Sequence, residues 1–236
     1  MASEHLVKSF DQELEKLNAW IGQMGGLAEA QLSDALDAIA QRDASIAERV
    51  IASDAQIDKL ERDVAHHVIR MLALRQPMAV DLRAIVAALK ISGVIERIGD
   101  YAANLAKRSL VLGQMPAMRS IGGIERLGRL VVGVLKDVLD AFGQNDVAKA
   151  RQVWLRDQEV DDMYTSLFRE LLTYMMEDPR NITPCTHLLF MAKNIERIGD
   201  HATNIAEIIH FKVQGVELTE QRPKGDTTTS AKMEAR

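Results

Sequence analysis

Apolar residues recur along this chain at steps of three and four, almost from end to end. The first run goes from Leu6 by Phe10, Leu14, Leu17 and Ile21 to Ile39, which predicts one unusually long amphipathic helix with a place to kink at Gly25-Gly26. Asp43 stands where an N-cap belongs, and a second helix follows by Val50, Ile57, Val64 and Val68 until Pro77. A third begins near Asp81 and passes Ile95, Ile98 and Ala102 to Gly113, a glycine placed to cap the helix end. The pattern lapses over Met115–Gly123, with Pro116 and Gly122-Gly123, and then repeats in three parts. One helix runs from Ile124 to Gly143, one from Asn145-Asp146 to Pro179, and one past Leu188 and Ile198 to Ile209. From about Gly215 the sequence is polar and predicts a disordered tail. Short connections make neighbours antiparallel, so the expected fold is all-α: six long antiparallel helices in two tandem, repeat-related three-helix bundles. The corresponding boundaries are 1–114, a linker at 115–123, 124–213, and a tail at 214–236.

The two halves share more than a pattern. Ile95-Glu96-Arg97-Ile98-Gly99-Asp100 returns as Ile195-Glu196-Arg197-Ile198-Gly199-Asp200, with Ala102, Asn104 and Ala106 answered by Ala202, Asn204 and Ala206. On a helix, Glu96, Asp100 and Asn104 fall on one stripe, as do Glu196, Asp200 and Asn204. The second helices add Asp54 and Asp58 in one half and Asp157 and Asp161 in the other. If these pairs face the third helices, each half gathers four carboxylates. Each like-charged pair costs an isolated helix about 0.2–0.5 kcal/mol. Gly99 and Gly199, both in mid-helix, cost a further ~1 kcal/mol each relative to alanine. Such glycines allow close approach, either by a packed neighbour or by something bound over the stripe.

An all-oxygen patch suits Mg, Mn or Fe; Zn usually recruits His or Cys, and only His201 stands near a motif. Tyr101 takes the equivalent place in the first half, so His201 is not expected to be an essential ligand. The plainer alternative is compensation of the acids by Arg97, Arg197, Lys59 or Lys193.

Composition narrows the class. Apolar residues make up 47% of the 236 positions but aromatics only 4%, so the core is aliphatic and helical. Trp20 and Trp154 are expected as packing anchors, Met175-Met176 as core filler and His66-His67 as partly buried helix residues. A net charge of −5 argues against a general nucleic-acid binder. No apolar run is long enough to span a membrane, the N-terminus lacks a secretion-signal layout, and Cys185 is the single cysteine. Together these lead to an expected cytoplasmic location. No nucleophile with a positioned base, phosphate-cradling glycine loop or kinase signature is present. A carboxylate-rich metalloenzyme is the alternative in the enzyme class, but a di-iron bundle wants paired Glu-x-x-His motifs, and only Asp63-Val64-Ala65-His66 comes near. A helical scaffold without bound metal is the third option.

The doubled Glu-Arg-Ile-Gly-Asp signature, each followed four residues on by Asn, resembles the PhoU family of phosphate-uptake regulators over about residues 5–213. That resemblance implies two similar three-helix bundles, no enzymatic activity, and cations (Mg, Mn, Fe or Zn) held on the acid pairs. Carried over, the ligands are Asp54, Asp58, Glu96 and Asp100, and Asp157, Asp161, Glu196 and Asp200. The family's Asp-x-Arg element falls on Asp81 and Arg83 and on Asp178 and Arg180, where it implies a partner-binding surface; plain helix capping by Asp81 is the alternative. The resemblance further implies a cytoplasmic negative regulator between the ATPase subunit of the high-affinity phosphate ABC transporter and the sensor histidine kinase PhoR, forming a homodimer.

Overall fold

The computed structural model describes residues 2–116, 121–220 and 222. Among them lie seven α-helices: α1 (Ala2–Gln41), α2 (Ala44–Arg75), α3 (Ala79–Gly113), α4 (Ile121–Gln144), α5 (Val147–Leu155), α6 (Asp157–Glu177) and α7 (Ile182–Gln214). A short 3₁₀ turn, Pro179–Asn181, links the last two. Helices α5 and α6 form one rod interrupted at Arg156, so the predicted six-rod, all-α plan holds with a break in its fifth member.

Local chemistry explains most boundaries. Asp43 caps α2, accepting from the backbone N–H groups of Ser45 and Ile46, and Asp146 caps α5 through Lys149. Arg42 and Asn145, the residues after α1 and α4, both take left-handed φ, which turns the chain sharply. Arg42 then donates to the carbonyls of Leu112, Gly113 and Met115, satisfying the orphan acceptors at the end of α3. This arginine, with Gln114 in ordinary helical φ, closes α3; Gly113 is its last helical residue, not its cap.

Three other expectations change. Gly25-Gly26, the expected place to kink, lies within a continuous α1, and a Cβ at Gly25 would sit 2.5 Å from Leu139 Cδ2, so this glycine makes room for α4. Gly122-Gly123 lies inside α4, where a Cβ at Gly123 would meet Leu167 of α6 at 2.5 Å; the expected linker residues 117–120 lie outside the described residues. Met176 is exposed rather than core filler, and so is His66, whereas Trp154 is buried as expected and donates to Glu207 at 3.0 Å.

Within the first half, Glu13 meets Arg75, Trp20 meets His67 and Gln31 meets Ser53, so α1 and α2 run antiparallel. Between halves, Arg83 lies against Lys212, Tyr101 against His201 and Arg108 against His187, so α3 and α7 are antiparallel with the repeated motifs at mid-crossing. The buried side chains form a single continuous cluster that includes all seven helices.

Candidate functional site

The acids gather as two patches, one on each α-helical pair. In the first, α2 carries Asp54 and Asp58 and α3 carries Glu96 and Asp100. Gly99 sets their spacing: a Cβ there would lie 3.0 Å from Ile57 Cδ1, 3.2 Å from Asp54 Oδ1 and 3.2 Å from Gln31 Oε1. The mid-helix glycine therefore admits a packed neighbour, and that neighbour brings a carboxylate and an amide oxygen with it. Burial, followed by the charges of Asp100 and Asp58, pushes the Asp54 carboxyl above its usual range; burial, Asp100, Asp58 and Glu61 do the same to Glu96. Among the described residues no lysine, arginine or histidine pairs with any of these four acids. The alternative of compensation by Lys59 or Arg97 is not realised as ion pairing. Gln31 comes from α1, donates to Ser53 at 2.9 Å, and leaves Oε1 buried and unpaired.

The second patch, Asp157 and Asp161 on α6 with Glu196 and Asp200 on α7, is built differently. Asp157, Asp161 and Glu196 are each at most 4% exposed. Lys193 donates to Glu196 at 2.8 Å, so one of the expected compensating lysines does pair. Burial still raises the Glu196 carboxyl, and its Oε2 is unpaired. Asp157 accepts from Thr203 at 3.1 Å and twice from Arg222, at 2.7 and 2.6 Å, and Arg222 reaches Asp200 at 2.6 Å. Gly199 again faces a neighbour, here Val160 and Val131; Val131 occupies the place that Gln31 holds beside Gly99.

These donor sets bear unequally on a cation. The first is all oxygen, uncompensated by ion pairs and backed by an unsatisfied buried amide oxygen, which is the chemistry a hard cation satisfies. As arranged, though, no three acid, histidine or cysteine side chains among the described residues converge closely enough to hold one ion. Ligation there requires the carboxylates to swing together. In the second patch Arg222 and Lys193 already supply positive charge.

Asp81 does not cap α3; Met78 stands at the N-cap without a side-chain bond, and Asp81 lies in the first turn. Arg83 turns inward, its guanidinium beneath Gly215 and its Nε 3.5 Å from the Lys212 carbonyl at the end of α7. Asp178 caps the 3₁₀ turn and binds Arg180, whose side chain is 90% exposed, so the two Asp-x-Arg elements are not equivalent. His201 stacks on Tyr101 with centroids 5.6 Å apart, and its Nδ1 has no partner.

Gln31, Glu61, Thr203 and Arg222 were not singled out from sequence. Setting the repeats in register at Gly99 and Gly199 would have exposed Gln31, since it replaces an apolar residue in an otherwise apolar stripe. Arg222 sits in a polar stretch without periodicity and carries no such signal.

A PhoU domain matches residues 21–109 and again 124–209. The chain is 57% identical over 225 residues to a phosphate-specific transport system accessory protein PhoU homolog of Caulobacter vibrioides, covering 95% of this chain and 98% of that protein. It is 48% identical to the Rhizobium meliloti protein of the same description, with 98% of each covered. Crystal structures of PhoU from Pseudomonas aeruginosa (TM-score 0.85, 39% identity, 88% of this chain and 100% of that one) and of the phosphate transport system regulatory protein PhoU from Streptococcus pneumoniae (0.83, 29%, 89% and 100%) share its fold.

Proposed function

This chain belongs to the PhoU family, and on that premise we propose that it is a cytoplasmic negative regulator of phosphate acquisition that couples the phosphate ABC transporter to a sensor histidine kinase. The family is one of regulatory accessory proteins of phosphate transport and not of enzymes, which removes the metalloenzyme alternative. No helix among the described residues is long and apolar enough to cross a membrane, in keeping with action through partners.

In this proposal the first acid patch is a cation-responsive element. The observation that carries it is the cluster of Asp54, Asp58, Glu96 and Asp100, two of them raised by burial and mutual repulsion, beside the unpaired Gln31 oxygen. Asp54, Asp58, Glu96 and Asp100 would hold a divalent or iron cation, which would offset a repulsion that Lys107 and Arg97 only partly relieve from a distance and would tie α2 to α3. The angle between those helices then depends on occupancy, and with it the surface offered to the transporter ATPase subunit or the kinase. Asp81 at the start of α3 and the exposed Arg180 are proposed partner contacts, and the functional unit is proposed to be a homodimer. The scaffold alternative is favoured by one observation, the lack of three converging ligands among the described residues.

Elemental analysis of purified protein, beside an Asp54→Asn/Asp100→Asn variant, separates the two. Stoichiometric metal lost in the variant, with weaker binding to the ATPase subunit or kinase after chelation, supports the switch. Absence of metal after incubation with Mg, Mn, Fe and Zn leaves the scaffold. Unchanged partner affinity on chelation removes the coupling.

A further inference from the structure

The second patch is not simply a buried copy of the first, because the C-terminal segment closes it. After α7, Gly215 adopts a left-handed φ of 77° and reverses the chain. His210 Nδ1 lies 3.0 Å from the Val216 carbonyl, Leu218 packs on the core, and Glu220 takes Arg151 on both oxygens at 2.8 Å. This anchored return ends at Arg222, whose side chain is only 16% exposed. The segment belongs to the stretch that composition assigns to a disordered tail; residues 221 and 223–236 lie outside the described residues.

At Arg222 the guanidinium does what a bound cation would do. Its planar fork takes both oxygens of Asp157 on α6 and one of Asp200 on α7, so one positive group neutralises and bridges carboxylates from two helices. Nothing among the described residues does this at the first patch, where the four acids have no paired cation. With both oxygens of Asp157 and one of Asp200 engaged by the guanidinium, and its positive charge lying between them, a divalent cation has to compete with Arg222 for these carboxylates.

We propose that Arg222 is the resident counter-cation of the second patch, that a divalent cation must displace it to bind there, and that such binding releases the contacts of residues 216–220 and 222. The two patches, though alike in motif, then differ in cation affinity, and among the described residues the second alone is coupled to the segment after α7. This rests on the reading of the acid patches as cation sites.

Manganese binding, counted on the full-length chain by electron paramagnetic resonance and calorimetry, tests it in three proteins: the parent, Arg222→Ala, and Arg222→Ala/Asp157→Asn. Expected are a first class of sites common to all three and a second class that tightens by about tenfold or more in Arg222→Ala, since a charge-assisted bidentate contact no longer competes. That second class is lost again in the double variant. Hydrogen exchange over residues 216–222 is expected to accelerate when manganese saturates the parent. If Arg222→Ala binds manganese as the parent does, or the segment stays protected at saturation, the competition is overturned while the cation reading stands. If none of the three binds manganese, both fall.

Discussion

Asp54 and Asp157 occupy equivalent places in the two repeats, yet the same substitution is predicted to shift stability in opposite directions. Asp54 is half-buried, has no ion-pair partner and lies within reach of the like charges of Asp58 and Asp100. Asp54→Asn removes that repulsion, which solvent partly screens. An i, i+4 like-charge pair is worth about 0.2–0.5 kcal/mol, so a gain of about 0.5 kcal/mol is expected. Asp157 is 3% exposed and receives two bonds from Arg222 and one from Thr203. Asp157→Asn weakens a buried charge-assisted pair and leaves the guanidinium short of a partner. Such losses cost about 1–3 kcal/mol, held toward the middle of that range because Asp200 still accepts from the Arg222 guanidinium. A chain of this size moves its melting temperature by roughly 2–4 °C per kcal/mol. Calorimetry in the presence of a chelator should therefore show Asp54→Asn melting about 1–2 °C above the parent and Asp157→Asn about 4–8 °C below it. In an Arg222→Ala background most of the Asp157→Asn penalty should vanish, because contacting residues are not additive. Two shifts of the same sign, or a full Asp157→Asn penalty without Arg222, would refute the inequivalence of the patches.

Other expectations follow from single neighbourhoods. Gly93 has open space where a Cβ would stand, so Gly93→Ala should stabilise α3 by about 0.5–1 kcal/mol in denaturant titrations. Gly99→Ala must displace Ile57, Asp54 and Gln31, and the overpacking should outweigh the helix gain by about 1 kcal/mol. Burial pulls the Lys212 ammonium below its usual 10.5, so the folded state binds fewer protons there than the unfolded one. Stability should accordingly rise with pH from the lowered value up to about 10.5, and Lys212→Met should abolish that alkaline rise in urea titrations across the window. Arg180→Ala, at an exposed pair, should leave the melting temperature within ~1 °C while weakening partner capture if the surface reading is right.

The rods were legible because their signal is periodic: α1 reads as one helix straight across Gly25-Gly26, since the apolar phase never slips. The acid stripes were equally legible, four residues apart on helices whose packing partners follow from short connections. What sequence could not supply was the third dimension of each stripe. Gly122-Gly123 reads as a loop until Leu167 is seen pressing on it. The burial of Glu196 and the closure of Asp157 depend on Lys193 and on an arginine that reaches back 65 positions from a stretch with no pattern. Long-range ion pairs leave no local trace.

Tyr101 and His201 stand one hundred positions apart in the repeat and stack face to face where α3 crosses α7, with 20° between ring planes. Such a meeting of equivalent residues is the geometry of a two-fold axis, along which a residue of a symmetric pair touches its own copy. In a pair of separate identical chains, any replacement on that axis is made on both sides at once. Joining the halves end to end lifts the obligation, so tyrosine on one side can face histidine on the other, and glutamine can stand beside one motif where valine stands beside its twin. The fused chain thus keeps the architecture of a symmetric pair while its two halves are free to specialise, one acid patch left open and the other closed.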